Sequence, residues 1–224
     1  KDGRKALTAY QQPLHFRRPK VKRLLLSLAL AASLSVSAVA AQPQAEEYVP
    51  AFQNKIVENG EPMAGKPGQL RDFLEMRHTR GFSKAVLPDL NGKPVALNSF
   101  KGKLVLLDVW ATWCEPCIRT MPAMHELQRH FNKDPKSKVH VISVSVDDNV
   151  KDVKKFMKRY GLGEDFSTLI DTKQVIGDDV PLDVVPSFFV LDGQGNLVGF
   201  VRGFVDWTGP EVIAYLNKLA DKYA

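Results

Sequence analysis

The apolar residues of this chain fall into short runs whose lengths and spacing predict strands that alternate with helices. The five runs of strand length are residues 104–110, 139–146, 168–170, 187–191 and 197–201. The first two are mostly aliphatic, which is typical of strands buried on both faces of a parallel sheet. The last two are separated by Asp192-Gly193-Gln194-Gly195-Asn196, and these turn-forming residues predict a hairpin.

Helical spacing of apolar residues occurs between these runs. Residues 115–131 have it, and a second helix face comprises Val150, Val153, Phe156, Met157 and Tyr160. Gly161 is expected to end that second helix, and a last helix is expected from about Gly209 to Leu219. Short apolar segments at 85–87 and 95–97 flank a hairpin turn at Asn91-Gly92. We therefore predict an α/β fold with a central mixed β-sheet flanked by helices and an N-terminal β-hairpin extension.

Composition divides the chain into three parts. Residues 1–40 read as a leader, and residues 41–80 read as a linker because glycine, proline and asparagine punctuate them. Within this linker, Leu70, Phe73 and Leu74 have the i, i+3, i+4 spacing that predicts a short helix over Gln69–Arg77. The compact domain is expected to comprise residues 81–224.

The formal net charge of +6 comes from the leader. Residues 1–40 contain eight of the 31 lysines and arginines and one of the 25 acidic residues, so the remainder carries 23 basic and 24 acidic side chains. That remainder has no basic stripe interleaved with aromatic residues. Nucleic-acid binding is therefore excluded as the function.

The leader has the three parts of an export signal. A basic stretch from Arg17 to Arg23 precedes an uncharged run from Leu24 to Ala41, and Ala38-Val39-Ala40 predicts cleavage after Ala40. The alternative is an uncleaved membrane anchor, since the run of 18 residues is just long enough to span a bilayer. Export predicts a periplasmic protein. A further hypothesis is that residues 1–20 are an upstream extension of a signal that starts at Val21.

Cys114 and Cys117 are the only two cysteines, and their C-x-x-C spacing falls where strand 104–110 meets the following helix. A disulfide between them closes too small a loop to add much to folding entropy. The pair is therefore better explained as a redox site than as a structural crosslink, although exported proteins usually use cysteine pairs for the latter.

Several segments carry a family resemblance when they are taken together. They are residues 87–93, 100–103, 110–117, 145–147, 156–162 and 185–192. Residues 83–224 thereby resemble the thioredoxin-like superfamily, and more narrowly the exported TlpA/ResA-type thiol-disulfide oxidoreductases related to AhpC/TSA proteins. The resemblance implies a thioredoxin-like fold and an enzyme that needs no cofactor. It also implies reduction of periplasmic protein disulfides, such as those of apocytochrome c, with electrons from a membrane-embedded donor.

The position of Cys114 predicts the nucleophile, because unpaired N–H groups and the dipole at a helix N-terminus favour a thiolate. This thiolate would attack a partner's disulfide, and Cys117 would resolve the mixed disulfide. Asp108 interrupts an apolar strand, where burial is expected to raise its pKa. We predict that Asp108 takes the proton of Cys117, as the acid of thioredoxin at this position implies. The alternative is a solvent-exposed acid at a strand end.

The resemblance implies substrate-binding residues as well. Pro186 matches a cis proline that exposes the backbone of the preceding residue, here Val185, to bind a substrate as an added strand. The alternative is an ordinary proline at the start of a strand. Trp113 is expected to be an apolar platform for the partner, and Trp110 is expected to pack in the core. Thr120 stands where some ResA-like proteins carry a buried glutamate, so that feature is absent here.

Other chemistries fit the sequence less well. A metal site needs more ligands than one C-x-x-C supplies, so no metal is expected. Ile118 stands where covalent haem attachment requires histidine. The dipeptide Glu115-Pro116 lacks the histidine that would over-stabilise a thiolate, which favours a reductant over an oxidant. A disulfide oxidase or isomerase and a non-enzymatic binding protein are the alternatives.

Overall fold

A computed structural model describes residues 58–82, 84–163, 165–178, 180 and 182–224. The predicted leader, its cleavage motif and the first part of the predicted linker lie outside the described residues. The strands are β1 (Leu74–Gly81), β2 (Val86–Pro88), β3 (Pro94–Ala96), β4 (Leu104–Trp110), β5 (Val139–Ser145), β6 (Thr168–Ile170), β7 (Ser187–Leu191) and β8 (Asn196–Arg202). The α-helices are α1 (Glu115–Asn132), α2 (Val150–Arg159) and α3 (Pro210–Tyr223).

Six of these strands form one mixed sheet in the order β1-β8-β7-β4-β5-β6. Strands β4, β5 and β6 are parallel to one another, while β7 pairs antiparallel with both β4 and β8. Strands β2 and β3 form a separate antiparallel hairpin. The predicted mixed sheet with an N-terminal hairpin is therefore confirmed.

Strand β4 is buried along its whole length, because β5 and β7 cover its two edges and other elements cover its two faces. Its six apolar residues are all at most 3% exposed. Burying a leucine or valine side chain contributes about 1.5–3 kcal/mol. The apolar part of the strand can therefore offset the unfavourable burial of its one acidic residue, Asp108.

The predicted helix over Gln69–Arg77 is wrong. A single 3₁₀ turn at Gly68–Leu70 is followed by β1, which pairs with β8. Leu70 and Phe73 are buried as the spacing suggested, but Leu74 is 53% exposed, so no continuous apolar helix face exists. The free edge of β8 decides the outcome, because it offers hydrogen bonds that a three-residue apolar pattern does not reveal.

Strand β1 can lie this close to β8 because of Gly199. A Cβ atom at that position would lie 2.5 Å from the ring of Phe73 and 2.9 Å from the carbonyl oxygen of Leu74. Residues 74–80 therefore belong to the sheet, and the folded domain begins before the boundary at Gly81 that composition suggested.

The helices follow the predicted positions. Helix α1 contains Pro122 in its interior, and α2 ends just before Gly161, whose φ of +64° lies in the left-handed region that glycine tolerates. No α-helix within the described ranges has both the length and the apolar content that crossing a membrane requires.

Candidate active site

The two cysteines lie where the central strand passes into α1. Strand β4 ends at Trp110, and Cys114 is the N-cap residue of α1, with extended backbone angles of φ −91° and ψ 101°. Its Sγ is bonded to Sγ of Cys117 and also accepts a hydrogen bond from the Cys117 N–H at 3.2 Å. The sulfur of Cys114 therefore lies at the positive end of the helix, where a negative charge on sulfur is stabilised.

The two sulfur-bearing residues differ in access. Cys114 is 4% exposed and Cys117 is 0% exposed. Both residues are thus buried, and Cys114 is the more accessible of the two. This difference favours Cys114 as the nucleophile and Cys117 as the resolving residue.

Asp108 is completely buried in β4, two residues before the end of that strand. Its Oδ2 accepts a hydrogen bond of 2.9 Å from the Ser143 hydroxyl on β5, and no partner for Oδ1 lies among the described residues. Burial raises the pKa of Asp108 to about 7, because the single bond from Ser143 lowers it by less than desolvation raises it. The expected burial of Asp108 is observed, and the alternative of an exposed strand-end acid is wrong.

Asp108 points to the sheet face that α1 covers. Gln128 of α1 donates to the Ser143 hydroxyl at 3.3 Å, and that hydroxyl contacts Asp108. Helix α1 is the element that begins at the cysteine pair. Among the hydrogen bonds of the described residues, none joins Asp108 to Cys117 in this disulfide form, so the role of Asp108 as a proton acceptor stays a proposal.

A second buried carboxylate, that of Asp147, holds the connection between β4 and α1. It is 4% exposed and accepts hydrogen bonds from the Thr112 backbone N–H at 3.0 Å and from the Thr112 hydroxyl at 2.7 Å. The Ser145 hydroxyl donates to the same carboxylate at 2.8 Å. Because Thr112 is two residues before Cys114, Asp147 fixes the backbone that presents the reactive sulfur.

The predicted substrate-binding residues lie beside the same end of β4. Val109 of β4 pairs with Ser187 of β7, so the preceding Pro186 lies next to the point where the cysteine connection begins. The Val185–Pro186 bond is cis, as expected. The carbonyl oxygen of Pro186 accepts a hydrogen bond from Gly203 N–H at 2.8 Å, which joins this loop to the one that follows β8.

Three large apolar side chains are exposed on the loops at this end of the sheet. Trp113 is 60% exposed on the cysteine connection, Val184 is 39% exposed before β7, and Phe204 is 52% exposed after β8. Arg119 of α1 lies over the Phe204 ring, 4.9 Å from its centre. The role of the exposed Trp113 as a platform for the partner stays a prediction, and Trp110 is fully buried as expected, with its indole N–H donating to Thr168.

Over the ranges that the structure describes, no three His, Cys, Asp or Glu side chains lie together as potential metal ligands.

Comparisons with known proteins agree with this fold and site. The AhpC/TSA family model matches residues 81–199. The thiol-disulfide oxidoreductase ResA of Bacillus subtilis (strain 168) is 36% identical over 118 residues, which make up 53% of this chain and 63% of that protein. The protein of the same name from Bacillus thuringiensis (strain Al Hakam) is 35% identical over 152 residues, or 68% of this chain and 84% of that protein.

A solved structure of a secreted thiol-disulfide isomerase from Corynebacterium glutamicum has a TM-score of 0.56 and 18% identity, over 71% of this chain and 98% of that one. That likeness shows the fold alone. The fold and the dithiol together define a thiol-disulfide oxidoreductase, which confirms the predicted class of enzyme. The chain belongs to the AhpC/TSA family, and its matched relatives are of the ResA type.

Sequence reasoning missed four residues that shape the site: Thr112, Gln128, Ser143 and Asp147. One local signal could have placed two hydroxyls on one face of the sheet, without giving their partners. Ser143 and Ser145 are two positions apart in strand 139–145, so both hydroxyls point to one face. On that face they meet Asp108 and Asp147. Gln128 and Thr112 gave no such signal, because their partners are far away in the sequence.

Proposed function

We propose that this protein reduces disulfides in exported proteins, such as apocytochrome c in the periplasm, through the dithiol form of Cys114 and Cys117. The observation that carries the proposal is the disulfide at the N-terminus of α1, in which Cys114 has slight solvent exposure and Cys117 has none. This bond is the oxidised product that the proposed reaction leaves on the enzyme.

The proposed reaction proceeds by two thiol-disulfide exchanges. The Cys114 thiolate attacks one sulfur of the client disulfide, so an enzyme–client disulfide forms and the other client sulfur leaves as a thiolate. Cys117 then loses its proton to Asp108 and attacks Sγ of Cys114. The second client sulfur leaves as a thiolate, the client has gained two electrons, and the enzyme holds its disulfide.

Each residue around the dithiol has a place in this sequence. Asp147 holds the Thr112 backbone and so the approach to Cys114. The exposed side chains of Trp113, Val184 and Phe204 offer apolar surface for an unfolded client segment. The backbone of Val185 would pair with that segment, as the family resemblance implies.

The direction of transfer is proposed from the residues between the cysteines. Glu115 places a negative charge in the first turn of α1, which opposes the thiolate and so favours the oxidised enzyme after reaction. We expect a reduction potential near that of reducing thioredoxins, about −270 mV, rather than near the about −120 mV of a strong oxidant. Equilibration with glutathione buffers measures this reduction potential. A potential near that of the strong oxidant would instead indicate an oxidase or isomerase.

An insulin-reduction assay tests the activity itself. Wild-type protein with excess dithiol reductant should precipitate insulin, and Cys114→Ser should lose the catalysed rate, because the one thiol that remains, that of Cys117, is fully buried and cannot form the first mixed disulfide. Cys117→Ala is the matched variant, since it retains the nucleophile and should accumulate a covalent complex with the client. Equal rates for wild type and Cys114→Ser would leave a non-enzymatic binding protein as the function.

Export and re-reduction complete the proposal. We propose a periplasmic protein cleaved after Ala40, with re-reduction by a membrane-embedded electron donor. Mass spectrometry of the protein from a periplasmic fraction should find an N-terminus at Ala41. A protein that stays in the membrane fraction with residues 24–41 attached would support the uncleaved anchor instead. Covalent complexes trapped by Cys117→Ala in cells identify the clients.

A further inference from the structure

The structure places a chain of buried polar side chains between α1 and Asp108. Gln128 is 1% exposed, and Ser143 and Asp108 are 0% exposed. Gln128 Nε2 donates to Ser143 Oγ at 3.3 Å, and Ser143 Oγ donates to Asp108 Oδ2 at 2.9 Å. Buried polar groups cost free energy unless they are hydrogen-bonded, so a connected set of this kind constrains every member.

The backbone of Ser167 fixes the orientation of the Gln128 amide. Ser167 N–H donates to Gln128 Oε1 at 2.6 Å, and the Ser167 carbonyl oxygen accepts from Gln128 Nε2 at 2.9 Å. A flipped amide would oppose donor to donor and acceptor to acceptor at both contacts. The second Nε2 hydrogen must therefore point to Ser143.

The orientation of Gln128 sets the direction of the Ser143 hydroxyl. Because Ser143 Oγ receives a hydrogen from Gln128, its own hydrogen is free to go to Asp108 Oδ2. That bond occupies one carboxylate oxygen and leaves Oδ1 without a partner among the described residues. The two oxygens of Asp108 are thus made unequal by residues on β5 and α1.

We propose that Ser143, oriented by Gln128, is a positioning residue that holds Oδ2 of Asp108 and keeps Oδ1 as the oxygen that receives the proton of Cys117. This inference rests on the proposed function, in which Asp108 is the proton acceptor. A neutral hydroxyl suits the task, because a cation in its place would stabilise the carboxylate and weaken it as a base. Loss of the hydroxyl would leave Asp108 protonated at neutral pH.

Other titratable groups do not replace this contact. On β5, the ring of His140 stacks on Phe100, and on α1 the Nε2 atom of His125 lies 3.0 Å from Asp165. Asp147 follows β5 and is bonded to Thr112 and Ser145, and β7 (SFFVL) carries no charged residue. The remaining charged or titratable side chains of α1 are exposed: Glu115, Arg119, Glu126, Arg129 and His130.

Infrared difference titration of the oxidised protein tests the proposal directly. The disulfide removes both thiols from the titration, and Asp108→Asn assigns the carboxyl band. We expect a wild-type midpoint near pH 7 and an upward shift of about one to two pH units in Ser143→Ala, since a hydrogen bond to the ionised form is lost. A one-unit shift would lower the ionised fraction at pH 7 from about one half to about one tenth. The pH profile of client release should then move in parallel, with a rate about fivefold lower at pH 7.

Matched variants separate this role from packing. Ser145→Ala removes a buried hydroxyl from the same strand and face, but its partner is Asp147, so the Asp108 midpoint should not move. Ser143→Thr retains the hydroxyl and should restore the wild-type midpoint. If Ser143→Ala does not fold, Gln128→Leu is the second variant. It should shift the Asp108 midpoint in the same direction, because the Ser143 hydroxyl would lose the hydrogen bond that orients it.

Two failures can be told apart. An unchanged carboxyl midpoint in folded Ser143→Ala, or a shift in Ser143→Thr as large as in Ser143→Ala, would overturn the positioning role while leaving the reductase intact. An unchanged pH profile of client release in Asp108→Asn would instead overturn the proton-acceptor role on which the inference rests.

Discussion

Glu75 and Asp108 are both acidic side chains withdrawn from solvent, yet their environments have opposite effects. Glu75 accepts hydrogen bonds from the Lys222 ammonium at 2.7 Å, the Tyr223 hydroxyl at 2.6 Å and the Met63 backbone N–H at 2.7 Å. Burial alone would raise its pKa, but these donors and the charge of Lys222 together lower it. Asp108 has one neutral donor, so burial prevails and raises its pKa to about 7.

The two carboxylates also occupy different regions of the molecule. Glu75 joins β1 to the last turn of α3. The backbone carbonyl oxygen of Tyr223 in that turn accepts a hydrogen bond from the N–H of Gly193, which lies next to the start of β4. Asp108 lies near the other end of β4, which leads to the cysteines. The comparison teaches that the number and charge of the donors, together with the depth of burial, separate a carboxylate that stabilises the fold from one suited to proton transfer.

Replacing Asp108 with asparagine should have the largest effect on stability. The folded protein binds the Asp108 proton more tightly than the unfolded chain, whose ordinary pKa is 3.8. The free energy of unfolding of the wild-type protein therefore falls by a total of about 4 kcal/mol as the pH rises from about 4 to about 7. Asp108→Asn should be more stable than wild type by up to that amount at pH 9 and about equally stable at pH 4.

Denaturant unfolding of the oxidised proteins at pH 4, 6 and 9 measures this difference. The oxidised form is the right choice because thiol ionisation cannot then contribute. If wild type and Asp108→Asn show the same dependence of unfolding free energy on pH, the description of Asp108 as a destabilised base is wrong.

Replacing Glu75 with glutamine should act in the opposite direction. Its lowered pKa means that its stabilisation is present above its ordinary pKa of 4.5 and is lost as the pH falls through the lower folded-state value. Glu75→Gln should therefore destabilise the protein at pH 7 by about 1.5–3 kcal/mol, because bonds to a charged acceptor are lost. At pH 3 the difference should be smaller.

Tyr223→Phe is the matched control for that change and has the smallest expected effect. It removes one donor and leaves the pair of Glu75 and Lys222, so a loss of about 1 kcal/mol is expected. Urea unfolding at pH 7 measures both variants. A destabilisation by Tyr223→Phe as large as that by Glu75→Gln would show that the charge of Glu75 adds nothing, and the contrast with Asp108 would then fail.

Much of the site was predictable because its signals are local. The two cysteines, the strand before them and the helix after them lie within one stretch of about thirty residues, and their pattern fixed the disulfide at a helix N-terminus. The burial of Asp108 was predictable for the same reason, since its strand neighbours are apolar. The family resemblance of the segment at Pro186 supplied the cis bond.

The sequence by itself thus determined the order of most elements, the redox pair and the acid beneath it, because hydrophobic period and residue spacing act over a few neighbouring residues. Only the tertiary structure decided that residues 74–81 form a strand, that Ser143 contacts Asp108 and that Gln128 contacts Ser143. The contact between Ser143 and Asp108 joins residues 35 positions apart. Such partners are chosen when strands pair and a helix packs on them, and no local pattern records that choice.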